Sequence, residues 1–503
     1  MRNTKKNIIT TLLSQFVATV CGVVIPRVMI STFGSAMYGL TTSVAQFLSY
    51  ISLLEGGIGR VARAELYVPL AQKDNTEISR VYHATKHFFA MVGLAFLGYT
   101  FVLSVVYFDI AQVSEVGRLY TFLLVWIIST GTLAKYMAGL PNLTLLNADQ
   151  KQYVGNLIVS LATFANALLV VVLAKLSSNL LVVKIGSSLV YIAQPICYWI
   201  YVKKHYDLPP VGKNRSKLKQ KWTGMGQHIA YFLHTNVDIV ILTLFADLKL
   251  VAVYSVYKLI VSSVRKIVAS ITSGMEAAFG ELIAKNETAR LQDAFRKYKH
   301  MLSLMSVVFF GTTGVLIVPF VKLYTAGITD ANYIQPTFAI VLLLAEAIDC
   351  YVHPCCSLPV SANKLKESRW GSYGEAAINI VLSLILVRWN PLIGVALATL
   401  IATLFKSVFY MTYSARNILY LNIGELVKNF IITGGMIGAV AVLGSDLIKM
   451  FMIVNYVQWT MWGAIVFMAV SLMTLAVYYV FYPNEQRRIM MTVLSKLKKF
   501  KRS

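Results

Sequence analysis

Residues 251–278 read VAVYSVYKLIVSSVRKIVASITSGMEAA, a stretch long and apolar enough to cross a bilayer that still carries two adjacent cations near its centre. A transmembrane helix needs roughly 20 predominantly apolar residues. Helical spacing sorts this one into faces. Lys258, Ser262, Arg265, Thr272 and Glu276 share one side over several turns, and Lys266 lies about 100° round from Arg265. A charge at the centre of a span costs about 2.5–3.5 kcal/mol even on a lenient insertion scale. Such a stripe therefore lines a water- or substrate-filled cavity, or pairs with charges on neighbouring helices. Either case requires more spans.

The rest of the chain supplies them. Hydrophobic residues make up 57% of it and charged ones only 14%, against an apolar share of roughly 45–50% in soluble domains. Apolar runs fall at 8–32, 39–66, 87–108, 118–140, 152–174, 180–202, 223–246, 251–278, 301–324, 333–358, 370–388, 391–414, 424–446 and 456–482. The expectation is an all-α integral membrane protein of about 14 helices, with loops too short for a soluble catalytic domain. The formal charge of +24 does not indicate nucleic-acid binding, because the basic residues sit in alternate connections, which is how membrane orientation is encoded. About 30 Lys and Arg lie on the side of the N-terminus, including about seven in 203–221 and about seven in 487–502, against about six opposite. Both termini are expected to be cytoplasmic, with the terminal KLKKFKRS drawn to anionic membrane lipid. Residues 1–25 imitate a signal peptide but lack an A-x-A-like cleavage site, so they read as a retained first span. Cys21, Cys197, Cys350, Cys355 and Cys356 show no CxxC or metal spacing and read as small buried hydrophobes. No metal or cofactor is expected.

An internal repeat divides the chain. At a shift of 216 residues Tyr38 meets Tyr254, Glu65 meets Glu281, Glu77 meets Asp293, Arg80 meets Arg296 and Tyr82 meets Tyr298; at 213, Asn166 meets Asn379. The shift covers six spans, so the halves share one orientation, related by an axis along the membrane normal. The expected organisation is an N-terminal lobe at 1–202, a basic linker at 203–222, a C-terminal lobe at 223–415, and two further spans with a basic tail at 416–503.

Further polar residues mark where chemistry could sit. The second span carries Glu55, Arg60 and Arg63 beside a face of small residues; Arg27 follows Pro26 in the first, where the proline is expected to open the helix locally. The seventh places Gln227, Tyr231, His234 and Asp238 on one face, and the tenth does the same with Glu346, Asp349 and His353. Intramembrane carboxylates and histidines suit coupling to H⁺ or Na⁺. The candidate ion-coupling residues are therefore Asp238, His234, Glu55, Glu346 and Asp349. Each could instead neutralise a cavity arginine. No Walker A loop is present, which excludes direct use of ATP. Together these features describe a transporter.

Residues 33–82, FGSAMYGLTTSVAQFLSYISLLEGGIGRVARAELYVPLAQKDNTEISRVY, resemble the opening of bacterial Wzx-type polysaccharide flippases, the O-antigen and capsule transporters. Further similarity lies in VDIVILTLFADLKLVAVYSVYKLI at 237–260 and in YGEAAINIVLSLILVRWNPLIGVALATLIAT at 373–403, where an Asn-bearing span leads into a Gly-Val-Ala turn. The resemblance implies the fold of the multidrug, oligosaccharidyl-lipid and polysaccharide exporters: two six-helix lobes in a V around a central cavity. It also implies a monomer in the bacterial inner membrane, working beside a glycan polymerase and glycosyltransferases. The substrate it implies is a polyprenyl-diphosphate-linked oligosaccharide, with Arg27, Arg60 and Arg265 placed like the cavity arginines of lipid-linked-sugar flippases. Arg63, Lys258 and Lys266 complete the candidate substrate-binding set. A guanidinium suits a diphosphate because it donates two parallel hydrogen bonds and stays charged when desolvated. The competing readings are a drug or organic-cation antiporter of the same fold, whose cavity should be lined by carboxylates, and a membrane glycan polymerase or acyltransferase.

Overall fold

The computed structural model describes residues 3–55, 57–210, 225–272 and 274–483, all helices and connections, with no strand among them. The side chains of 225, 227 and 271–277 lie outside the described residues, and so do the basic stretch 211–224 and the tail 484–503. The expectations placed on Gln227, Thr272, Glu276, the heart of the linker and the C-terminal tail therefore fall outside it.

In the first part of the chain the helices are α1 (Thr4–Phe33), α2 (Ser35–Ser49), α3 (Ser52–Glu55), α4 (Ile58–Gln72), α5 (Asn75–Ile110), α6 (Arg118–Ala134), α7 (Leu140–Ala148), α8 (Gln152–Leu176), α9 (Leu180–His205) and α10 (Met225–Phe245). After them come α11 (Leu248–Thr272), α12 (Gly274–Ala284), α13 (Thr288–Tyr324), α14 (Pro336–Ser361), α15 (Leu365–Leu386), α16 (Pro391–Ser414), α17 (Ile423–Ile448) and α18 (Tyr456–Phe481). A π-helical turn, Lys135–Gly139, joins α6 to α7, and another, Ala415–Leu419, extends α16.

Among the described residues, eleven helices are long and apolar enough to cross a membrane by length and composition. The three remaining expected spans coincide with α2–α4, α11 and α15. Each falls short for a visible reason. The apolar run 39–66 is not one helix but three pieces, because the chain turns at Tyr50–Ile51 and again at Gly57, which adopts φ +79. The other two, α11 and α15, carry their charges within the span. Helix α1, by contrast, continues unbroken from Thr4 to Phe33 with Pro26 inside it, so the expected local opening is not seen. Helix α5 begins twelve residues before its apolar run, where the Asp74 carboxylate caps it by accepting from the backbone N–H groups of Thr76 and Glu77, both at 3.0 Å.

The chain divides into two compact units, residues 1–255 with 327–331, and residues 256–326 with 332–503. The division falls inside α11. In the first unit Phe89, Phe96, Tyr107, Leu124, Val125 and Tyr136 form one buried cluster, and Ile58, Leu66, Tyr82, Leu145 and Tyr198 form another. Asp330 belongs to this unit and holds the start of α2, accepting from the Ser35 N–H at 2.6 Å and from the Ser35 hydroxyl at 2.7 Å. In the second unit Val315, Leu316 and Ile448 pack with Trp459 and Trp462. The outer faces carry side chains that water would not tolerate in such number, among them Leu161, Leu176, Leu189, Leu443 and Val480. Lipid is the medium that suits them.

Both asparagines of the proposed repeat bond to the helix that follows their own. The Asn166 amide donates to the Tyr191 hydroxyl of the following helix at 3.3 Å; the Asn379 amide donates to the Thr399 hydroxyl of its following helix at 2.9 Å. Both asparagines are buried.

Two glycines of the family-like motifs are sites of close backbone approach. A Cβ on Gly39 would lie 1.8 Å from the Leu248 carbonyl oxygen, and one on Gly394 would lie 2.3 Å from that of Leu386. Backbone cannot yield as a flexible side chain can. Gly39→Ala is therefore expected to lower stability by about 3 kcal/mol, the upper range for overpacking. Thermal unfolding of the detergent-solubilised protein should show a clear drop in midpoint; an unchanged midpoint would contradict the packing described.

Candidate ion-pair site in the second unit

Helical periodicity puts Glu346 and Asp349 on one face of α14 at a spacing of three, and Lys258 and Arg265 on one face of α11 at a spacing of seven. The structure joins these faces. Lys258 Nζ donates to Glu346 Oε1 at 2.5 Å, and Arg265 Nη1 reaches Glu346 Oε2 at 3.1 Å. Arg265 Nη2 reaches Asp349 Oδ2 at 2.5 Å. On the far side of Asp349, Lys406 of α16 donates to Oδ1 at 2.7 Å, and it also reaches Glu375 Oε1 of α15 at 3.0 Å. Four helices are thus tied by one continuous chain of ion pairs.

The chain of pairs is balanced, with Lys258, Arg265 and Lys406 set against Glu346, Asp349 and Glu375. Balance is what burial demands, since an unpaired ion in a low-dielectric interior loses its hydration without compensation. The burden is uneven. Glu346, Asp349, Glu375 and Lys406 are all buried, whereas the Arg265 side chain keeps 23% of its surface and that of Lys258 keeps 21%. Arg265 uses the two arms of its guanidinium on two different carboxylates, a grip that a single ammonium point charge cannot reproduce. The accessible end of the network is cationic and the enclosed end contains the carboxylates.

Lys258, Arg265, Glu346 and Asp349 all stand out in the sequence, and the structure brings these four together. Glu375 and Lys406 were missed. The signal was there: each is a charge well inside an expected span, 370–388 and 391–414, which is the same test that singled out Arg265. Lys266 makes no ion pair in the network and is exposed on α11; His353 is exposed on α14.

In the first unit, Asp238 is buried on α10 and accepts from the Tyr254 hydroxyl at 2.7 Å; His234, one turn earlier, is buried as well. Tyr231, on the same face of α10, is exposed. Arg27 is half-buried in α1, Arg60 is exposed on α4, and Arg63 donates through Nε to the Gly59 carbonyl at 3.2 Å. Glu55 ends α3 and is half-buried. Among the described residues, no carboxylate lies within ion-pair distance of Arg60, Arg63 or Lys266.

Neither a family model nor a curated protein sequence matches the chain. Solved structures do. The lipid II flippase MurJ in an inward closed conformation superposes with a TM-score of 0.70 at 14% identity, covering 94% of this chain and 99% of that one. An inward-facing multidrug resistance MATE family transporter of the MOP superfamily gives 0.60 at 11% identity, covering 84% and 99%. The MATE multidrug transporter DinF-BH gives 0.51 at 15% identity, covering 83% and 97%. At such identities the likeness establishes the fold. This chain is a multi-pass, all-helical membrane protein with the fold of these transporters.

Proposed function

We propose that this protein is a flippase for a polyprenyl-diphosphate-linked oligosaccharide, moving it from the cytoplasmic to the periplasmic leaflet of the bacterial inner membrane by alternating access. In this reading the two six-helix halves are 1–202 and 223–415, with 203–222 between them and 416–503 appended. Both termini are cytoplasmic. Glycosyltransferases supply the lipid-linked glycan and a polymerase consumes it.

The observation that carries the reading is the sign of the charge on α4 and α11 left over once ion pairs are made. The network carboxylates of the second unit are matched by cations, while Arg60, Arg63 and Lys266 have no carboxylate partner among the described residues. A surplus of positive charge fits a diphosphate and disfavours an organic cation.

Arg265 and Lys258 then have two alternative sets of anionic partners, Glu346 and Asp349 in the resting protein and the diphosphate in the loaded one. Protons taken up by the carboxylates would release the guanidinium to the substrate, and their loss would reclaim it. Substrate and protons are thereby linked through one residue. Asp238, with His234 beside it, offers a second protonatable site in the first unit.

Reconstituted protein should expose a fluorescent polyprenyl-diphosphate sugar to an external quencher faster than protein-free liposomes, and an imposed pH gradient should accelerate this. Asp238→Asn is expected to keep the basal rate and lose the acceleration. Proton-driven uptake of an organic cation without any flipping would overturn the reading in favour of a drug antiporter. A variant that responds to the gradient like the parent would remove Asp238 from the coupling.

A further inference from the structure

The first unit contains a groove of about 260 Å³ lined by Tyr82 and Lys86 of α5, Met137, Ala138, Pro141 and Asn142 around the π-helical turn, and Ile196 and Trp199 of α9. It lies beside the π-helical turn Lys135–Gly139 that joins α6 to α7, where Pro195 of α9 packs 3.5 Å from where a Gly139 Cβ would stand. The polar floor is satisfied: the Tyr82 hydroxyl donates to Asn142 Oδ1 at 2.9 Å, and Asn142 Nδ2 donates to the Ala138 carbonyl at 2.6 Å. Lys86 differs. It is exposed, and among the described residues no carboxylate lies within ion-pair distance of it.

The depth of the groove fixes its surroundings. Helix α5 has 36 residues, about 54 Å at 1.5 Å per residue, well beyond the hydrocarbon thickness of about 30 Å. Its apolar run starts at residue 87, so Lys86 stands at the boundary between hydrocarbon and headgroups. This is the basic end of the unit. Asn7 at the start of α1 accepts from the Tyr153 N–H at 2.9 Å, and the Ser79 hydroxyl donates to the Pro209 carbonyl, which gathers Lys5, Lys6, Lys151, Lys203 and Lys204 at the same end. Lys203 lies over the Trp199 ring, 5.0 Å from its centroid. The wall faces lipid: Leu189, Ile196, Trp199 and Ile200 are large, apolar and exposed along α9.

We infer that this groove binds one anionic phospholipid of the leaflet on the basic side, its phosphate held by Lys86 and its upper acyl chain lying between Met137, Ile196 and Trp199. An apolar slot open to lipid, with Lys86 uncompensated at headgroup depth and Lys203 over its Trp199 wall, is complementary to a diacyl lipid with a negative headgroup. A zwitterionic lipid fits the slot but gains nothing from the surplus charge.

The test is native mass spectrometry of the full-length protein, delipidated and titrated with phosphatidylglycerol or phosphatidylcholine. The wild type is expected to retain one phosphatidylglycerol about fivefold more strongly than phosphatidylcholine, in line with the attraction of one lysine near the surface. Lys86→Ala should abolish that preference. Ala138→Phe, which fills the slot, should remove the retained lipid of either kind. Lys175→Ala, an exposed lysine at the opposite end of α8, should behave as wild type. Equal retention by Lys86→Ala and wild type, an equal loss in Lys175→Ala, or preferential retention of a polyprenyl phosphate over phosphatidylglycerol would each overturn the assignment.

Discussion

Arg265→Ala is expected to abolish flipping and to lower stability by about 3 kcal/mol. The loss has two parts. Removing the guanidinium takes a cation from both Glu346 and Asp349, which keep their ion pairs to Lys258 and Lys406, so the network of three cations and three carboxylates loses one positive charge. Stranding a buried charge costs about 3–5 kcal/mol, and the partial exposure of Arg265 places the effect at the lower end. The functional part is separable. Arg265→Gln combined with Asp349→Asn removes one charge of each sign, and this pair should recover most of the melting temperature without recovering flipping. Arg265→Lys should keep the charge and restore transport only in part, because a lysine cannot grip two acceptors in the same plane. Normal flipping by Arg265→Ala at normal abundance would remove it from the substrate path. Recovery of flipping by the charge-balanced pair would reduce its role to structural neutralisation.

Lys406→Met is expected to be the more damaging change to the fold. Lys406 is buried and is the partner given to Glu375 in the network, as well as a second cation for Asp349. Its loss takes the ammonium from both Asp349 and Glu375, at a cost of about 3–5 kcal/mol. The detergent-solubilised variant should melt well below the parent. Adding Glu375→Gln restores neutrality and should return a large share of that loss. If Lys406→Met melts like the parent, the chain of ion pairs across α14, α15 and α16 does not contribute as described.

These two variants separate the ends of one network. Arg265 is at the accessible end, where under the proposed function a substrate phosphate would compete for it, whereas Lys406 is enclosed and serves the carboxylates. Within this network, a transport defect that persists after charge balance is restored is therefore expected at Arg265 and not at Lys406.

Much of this architecture is legible in the chain itself. A bilayer demands that each crossing segment satisfy its own backbone, so apolar length alone locates helices such as α8, α16 and α18. The same constraint makes every intramembrane charge conspicuous, which is why Lys258, Arg265, Glu346 and Asp349 stand out from sequence. Glu375 and Lys406 were equally visible as charges, yet nothing in the sequence ties either to Asp349. Pairing depends on which helix faces are brought together, and helix packing is set by side-chain shape between segments far apart in the chain. Apolar periodicity could not show that the second span is broken at Tyr50 and Gly57, because hydropathy does not register backbone conformation. Nor could it show that Gly39 and Gly394 are needed for close backbone approach, or that Asp330 reaches back to cap α2. The sequence by itself determined the membrane, the apolar segments that cross it and the residues too polar to be there by chance. Tertiary structure decided which of those charges neutralise one another, because electrostatic partnership depends on distances that only the folded chain sets.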